Sequence, residues 1–271
     1  MTVGMRAALK IAYAGGSFYG HQRQPDARTV EGECLVALKA AKILGDPREA
    51  FFRSASRTDR GVSAVGNVIA FNTRFPDPES VVGAFNDRSW DVFAWAAAKV
   101  PDTFHPRHAV ERWYRYHVFE DLPLGPLKRA ASLFIGDHDV QSFTSDPPRS
   151  PFRISHVDVS REDAVTLIDV RAPSFRRGMV RRIVSAVVGH ARGDVSIDEI
   201  SSALSGAKTD FGMVPPEPLF LMDVVYSFSF QVVLKPKVRD DWVRMGRDAA
   251  LRSRLIRAWQ EAARAGARES L

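Results

Sequence analysis

Apolar residues recur along the chain at two spacings, every second residue or roughly every 3.6, and the change from one to the other divides it into elements. Residues 6–13 (Arg-Ala-Ala-Leu-Lys-Ile-Ala-Tyr) read as a strand, followed by a polar, glycine-rich segment to about Arg28. Thr29 is placed to N-cap a helix predicted over 30–44, with Glu31 and Glu33 in the first turn, where acids suit the helix dipole. Val30, Cys34, Leu38 and Ala41 form its buried stripe. Strands are predicted near 51–56 and 65–71, a short helix near 79–86, and a strand near 91–100. That order, β-α-β-β-α-β, is the split-βαβ arrangement of ferredoxin-like or RRM-like domains.

The second half repeats it. Arg112–Phe119 alternates as a strand, and Leu127–Ile135 has helical spacing. Strands near 153–160 and 165–171 precede a helix from about Phe175 to Val188, for which Gly189 is the expected C-cap. A short helix over 197–204 and a last strand, Leu219–Phe228, complete the half. Asp146-Pro-Pro-Arg-Ser-Pro151 reads as a loop. After Val238 the pattern is helical, with Trp242, Met245, Ala249, Leu255, Ile256 and Trp259 near one face and Arg252 interrupting it. A helix packed on the body accounts for that stripe better than a coiled coil. The expected fold is α+β: two similar halves, 1–104 and 105–230, sharing one mainly antiparallel sheet with a central cleft, then a basic helical tail over 231–271.

Composition narrows the class. The 271 residues, 45% of them apolar, suffice for a substantial core, and no stretch has the apolar length of a membrane span. The opening Met-Thr-Val-Gly-Met-Arg lacks the apolar core of a signal peptide, so a soluble, cytoplasmic protein is expected. A single cysteine, Cys34, excludes an internal disulfide and a multi-cysteine zinc site. The net charge of +6 points weakly to a polyanionic partner, and its distribution points further. Residues 171–193 hold six arginines (Arg171, Arg176, Arg177, Arg181, Arg182 and Arg192) and no acid, whereas 236–271 carry nine Lys/Arg against five Asp/Glu. An acid-free arginine cluster in a folded segment suits phosphate better than a mixed-charge helix does.

Candidate chemistry centres on Ser56-Arg57-Thr58-Asp59-Arg60-Gly61-Val62-Ser63, a short turn between two strands with one carboxylate between two arginines. Such a loop exposes side chains on a fixed backbone, and flanking cations favour the charged form of a carboxylate. The same residues fit a hairpin in which Asp59 bonds only its own backbone. On the helix over 175–188, Met179, Val180, Ile183, Val184, Val187 and Val188 form the buried face. Arg182 there points towards solvent or phosphate, and Arg181 sits at the edge of the stripe, where an arginine reaches inward to a carboxylate or a backbone oxygen; Asp59 is one candidate partner and a structural ion pair elsewhere the other. Trp113, Tyr114 and Tyr116 alternate along a strand, which makes core packing the default, although a tyrosine at a cleft edge also offers a stacking face to a base. There is no Gly-x-Gly-x-x-Gly, Walker lysine, His-Glu-x-x-His or Gly-x-Ser-x-Gly, so neither a nucleotide cofactor nor a catalytic metal is expected.

Taken together the motifs resemble the TruA-type tRNA pseudouridine synthase family. The 56–63 loop is similar to the family's Arg-Thr-Asp-x-Gly-Val. Four more matches follow the family order: Phe18-Tyr-Gly-His-Gln-Arg-Gln24, Phe104-His-Pro-Arg107 running into Tyr114-Arg-Tyr116, Phe175 through Met179-Val-Arg-Arg-Ile-Val184, and Pro216-Glu-Pro-Leu219. They span about residues 8 to 228. Arg60 in place of the usual bacterial alanine, His21 in place of a frequent tryptophan, Ser63 and the basic tail resemble archaeal and eukaryotic members. The resemblance implies the pseudouridine synthase fold and a cofactor-free, metal-free isomerisation of uridine to pseudouridine. It makes Asp59 the catalytic residue, Arg181 its ion-pair partner, Tyr114 the ring against the target base, and Arg57 the arginine reaching into the RNA. Arg60, Arg176, Arg177, Arg182 and the basic tail become further RNA contacts. It also implies a homodimer acting on the tRNA anticodon arm at uridines conventionally numbered 38 to 40. A synthase for another RNA or tRNA position, and a non-catalytic RNA-binding protein, are the alternative readings.

Overall fold

A computed structural model describes residues 4–146 and 151–268. They divide into two compact units with the boundary at Val232/Val233. In the first, the strands are β1 (Met5–Tyr13), β2 (Arg53–Ser54), β3 (Ser63–Thr73), β4 (Val92–Val100), β5 (Glu111–Val118), β6 (Gly136–His138), β7 (Phe152–Ile154), β8 (His156–Glu162), β9 (Val165–Ala172), β10 (Leu219–Val225) and β11 (Gln231–Val232). Its helices are α1 (Val30–Ala40), α2 (Pro78–Asn86), α3 (Leu124–Ser132), α4 (Met179–Arg192) and α5 (Ile197–Leu204). The second unit holds α6 (Pro236–Arg268), where Met245, Leu255, Ile256 and Trp259 of the apolar stripe are exposed. Among the described residues no helix is long and apolar enough to cross a membrane.

Nine strands form one sheet in the order β11-β4-β1-β3-β10-β5-β9-β8, with β2 also on β3; β6 and β7 pair separately. Each half has the ferredoxin-like order, β4-β1-β3-β2 in the first and β10-β5-β9-β8 in the second. All pairings are antiparallel except β3 with β10, where the halves join. This is the α+β, mainly antiparallel composite sheet that the patterning predicts. The core runs along it: Leu9, Ile11, Phe71, Phe85, Ile168 and Ile183 are fully buried. At roughly 25 cal/mol per Å² of apolar area removed from water, such side chains dominate the stability of each half.

Several boundaries differ from the sequence pattern for local reasons. The expected strand at 51–56 shrinks to Arg53–Ser54, because Asp46 organises a turn through the Arg48 and Glu49 amides and Phe51 takes a φ of +48°. The α1 helix stops at Ala40, before Lys42 at φ +55°. The α3 helix begins at Leu124 rather than Leu127, since Pro126 is tolerated in a first turn, where its missing N–H has no partner to lose. The α4 helix starts at Met179, not Phe175, because Gly178 at φ +69° cannot lie within a right-handed helix, and it runs through Gly189 to end at Gly193, φ +89°. Gly189 is needed for a different reason: a Cβ there would stand 2.9 Å from Val195 Cγ2. The last strand ends at Val225, and Gln231–Val232 pairs with β4 as an edge that the pattern does not reveal. Of the 146–151 loop, residues 147–150 lie outside the described residues.

Candidate active site

One edge of β3 is shared. Ser63 and Ala64 pair with Phe220 and Leu221 of β10, while Ile69 and Ala70 pair with Ser54 and Arg53 of β2. Between the two pairings the chain leaves β2, and the Asp59 loop emerges where the two half-sheets meet. Asn67, fully buried in β3, anchors its root: Oδ1 accepts from the Ser56 amide at 3.2 Å and Nδ2 donates to the Ser56 carbonyl at 3.0 Å. Beneath it the Tyr13 and Thr58 hydroxyls share a 2.9 Å hydrogen bond, and the His21 amide donates to the Thr58 carbonyl at 3.0 Å. Burial pushes the Tyr13 phenol well above its usual range, outweighing its bonds to Thr58 and Asn67.

At the tip, Gly61 at φ +89° and a 3.1 Å bond from the Val62 amide to the Asp59 carbonyl close the turn. The turn therefore uses the Asp59 backbone, not its side chain. Among the described residues the only hydrogen-bond donor to the carboxylate is Arg181, whose Nη1 lies 3.4 Å from Oδ2. Arg181 is oriented independently, since its Nε donates to the Val214 carbonyl at 2.7 Å. The pair is loose, with the Asp59 side chain 46% exposed against 12% for Arg181, which leaves the carboxylate open to an incoming group.

The wall opposite is aromatic. Tyr114, on the buried parity of β5, meets Phe175 edge-on at 5.2 Å. Burial pushes the Tyr114 phenol up to about 12, against the Arg112 charge and the Ser56 hydrogen bond and with the help of Asp59. The phenol is thus a neutral hydroxyl at physiological pH. Asp59, Arg181, Tyr114 and Phe175 line one cleft of about 520 Å³. That lies within the roughly 300–1,000 Å³ common for small-ligand pockets, enough for one unstacked base and its sugar.

The remaining arginines separate into groups. Arg57 is exposed on the cleft and makes no hydrogen bond or ion pair among the described residues. Arg176 and Arg177 also line the cleft, because the turn enforced by Gly178 takes them off the helix; Arg176 lies over the Phe152 ring at 5.8 Å, and Arg177 is 3.9 Å from Asp146. Arg60 turns away onto the Tyr19 ring, 4.4 Å from its centroid. Arg182 does not point freely to solvent as the helical wheel implies: its side chain is 22% exposed and Nη1 donates to Asp210 at 3.1 Å. Two cleft residues escaped the sequence reading. Arg107 was visible only as part of a motif, and Arg112 is buried in the cleft floor. The available signal for Arg112 was its register, since it shares the inward parity of Tyr114, Tyr116 and Val118.

A profile of the family described as tRNA pseudouridine synthase matches residues 130–227. The chain is 39% identical over 264 residues to tRNA pseudouridine synthase A of Thermococcus sibiricus, covering 94% of this chain and 98% of that one. It is 41% identical over 238 residues to the Pyrococcus furiosus protein of the same name (84% and 86% covered) and 37% over 263 residues to that of Methanothermobacter thermautotrophicus (94% and 92%). Among solved structures, an H/ACA RNP bound to a substrate RNA containing 2′-deoxyuridine aligns with a TM-score of 0.33 at 10% identity, over 72% of this chain and 43% of that one, too distant to bear on function. With near 40% identity carried across almost the whole chain, the protein belongs to the tRNA pseudouridine synthase family of isomerases.

Proposed function

We propose that this chain converts uridine to pseudouridine in the anticodon arm of tRNA, at one or more of positions 38 to 40, with Asp59 as the reacting carboxylate. The observation that carries the reading is the placement of Asp59: half open at a cleft, held by one arginine, and facing a wall of Tyr114 and Phe175. The reaction breaks the C1′–N1 bond, turns the uracil and joins C1′ to C5; C5 gives up its proton and N1 takes one up, so uridine and pseudouridine are isomers. Atoms and electrons balance within the nucleotide, so the chemistry asks only for an anionic carboxylate, a platform for an unstacked base and exclusion of water.

Each role has a candidate. Asp59 acts on the sugar or the ring. Arg181 keeps its carboxylate in place and compensates its charge, and Tyr114 with Phe175 gives the extruded base a face on which to rest. Arg57, unpaired at the mouth, occupies the space the base vacates. Arg176 and Arg177 meet the flanking phosphates, which orient the RNA without reading its sequence. The choice of anticodon arm and a homodimeric enzyme both rest on the resemblance to the family as a whole rather than on the cleft.

Incubation with unmodified tRNA transcripts, followed by mapping of pseudouridine, tests the proposal. Wild type should modify positions 38 to 40, and Asp59→Asn should bind tRNA nearly as well yet form no pseudouridine. Turnover by Asp59→Asn would remove the aspartate from the mechanism, and modification confined to other positions would refute the anticodon assignment.

A further inference from the structure

Of the charged side chains lining the cleft, Arg112 alone is taken wholly into the interior, only 6% exposed, and among the described residues no carboxylate pairs with it. Its hydrogen bonds all go to neutral oxygens on three separate segments. Nε donates to the Ser56 hydroxyl at 3.0 Å and Nη2 to the Ala55 carbonyl at 3.2 Å, both at the root of the Asp59 loop. Nη2 also donates to the Arg107 carbonyl at 2.9 Å, and Nη1 to the carbonyl of Pro173, just before Phe175.

Burying a guanidinium without a counter-charge is costly, and an apolar side chain of similar volume generally serves stability better. Packing alone therefore does not account for an arginine here. Its geometry does. A planar fork can bond several acceptors fixed in different directions, whereas an ammonium donates from a single atom. Ser56 shows the consequence: Asn67 bonds its amide and carbonyl, while Arg112 donates to its hydroxyl, which also bonds the Tyr114 phenol. The loop root is thus fixed along every polar direction Ser56 offers, only three residues before Asp59.

We propose that Arg112 is a positioning residue for the reaction: it locks the root of the Asp59 loop to the segment that carries Phe175 and to the Arg107 segment, so that carboxylate and aromatic wall hold one spacing when a nucleotide enters. This rests on the reading of Asp59 as the reacting group. Arg112 contributes to the chemical step through geometry and little to tRNA affinity, because its fork is spent on the protein's own carbonyls.

Single-turnover kinetics on tRNA separate these effects, since at saturating enzyme an unfolded fraction leaves the rate constant unchanged whereas a misplaced carboxylate lowers it. Arg112→Lys, which keeps the charge and loses the fork, should lower the rate constant at saturating enzyme by about 100-fold, the usual consequence of misplacement by about 1 Å. Its tRNA Kd should stay within about threefold, less than half a tenfold step in binding free energy. Ser56→Ala removes the Nε acceptor and keeps the test decisive if Arg112→Lys fails to fold. Because Ser56 also bonds the Tyr114 phenol, it is compared with Tyr114→Phe, which loses only that bond. The Ser56→Ala rate constant should fall about tenfold below that variant's, the size expected for one hydrogen bond to a charged group. A rate constant in Ser56→Ala no lower than that of Tyr114→Phe, a wild-type rate constant in folded Arg112→Lys, or a loss confined to Kd, overturns the inference. Those results with active wild type leave the Asp59 reading standing, whereas wild type that forms no pseudouridine in tRNA refutes that reading itself.

Discussion

His21 sits behind the Asp59 loop, 1% exposed, and neither ring nitrogen has a hydrogen-bond partner among the described residues. Burial, with the Arg57 charge acting in the same direction, pulls its pKa from 6.5 down to about 4. Between those values the unfolded chain takes up a proton that the folded one refuses. The stability that His21 contributes by staying neutral is therefore complete above pH 6.5 and is lost as pH falls through about 4. His21→Phe fills the space without orphaned nitrogens, so stability at pH 7 should hold or rise by about 1 kcal/mol. Its decline from pH 6.5 to 4 should flatten, as read by urea unfolding across that range; an unchanged slope would place the acid sensitivity elsewhere. At this scale the sequence was legible wherever neighbours carry the meaning. Asp59 stands out by its flanking arginines, and Arg112 is betrayed only by sharing the inward parity of Tyr114 and Tyr116, but nothing adjacent to His21 announces that it is buried.

Two loops from different parts of the first half behave as one piece. The segment after β1 reaches the Asp59 loop through the Tyr13 hydroxyl, the His21 amide and the Gly15 amide, which donates to the Ser63 hydroxyl at 3.0 Å. Gly15 is the point of closest approach: a Cβ there would stand 2.3 Å from the Val62 carbonyl oxygen and 2.5 Å from that of Gly61. Both obstacles are backbone, so Gly15→Ala must displace the Asp59 loop. We expect a loss of about 1–3 kcal/mol in stability from overpacking. A drop in turnover of up to about 100-fold should accompany it, larger than the fall in tRNA affinity. Thermal unfolding and single-turnover rates check this, and unchanged turnover would mean that the loop absorbs the shift. Helix and strand identities were legible because their periods are local. The ends were not: α3 starts a turn early because its first turn accepts Pro126, while α4 and β2 are delimited by the positive φ of Gly178 and Phe51, and such effects depend on backbone angles rather than on apolar spacing.

Across the whole molecule, positive charge lies at the cleft and along α6. Arg252, Arg254 and Arg257 are all exposed, as a mixed-charge helix in contact with water or RNA requires. If α6 meets tRNA, replacing these three with glutamine should weaken binding and reduce the slope of log K against log salt by about 0.7–0.9 for each phosphate that is no longer neutralised. The rate constant at saturating tRNA should remain that of wild type. Filter binding at several salt concentrations decides it: an unchanged slope assigns the RNA contact to the arginines of the cleft alone. The two-half organisation was legible from the repeated β-α-β-β-α-β order. The parallel contact of β3 with β10, which unites the halves, was not, because two residues of pairing leave no periodic trace.

By itself the sequence determined the repeated β-α-β-β-α-β order, the α+β class and the family through its motifs, and it marked Asp59 as a candidate carboxylate. All of these are written in spacings of a few residues, where periodicity and turn preference act. Tertiary structure decided which of its candidate partners Asp59 meets. Arg181 lies 122 residues away in the chain and meets it only because β3 divides one edge between β2 and β10. The same junction lets Arg112 reach Ser56, and a single positive φ at Gly178 sends Arg176 and Arg177 into the cleft while Arg182 remains with Asp210. Side-chain direction at such points follows from backbone geometry and distant packing, neither of which a linear pattern records.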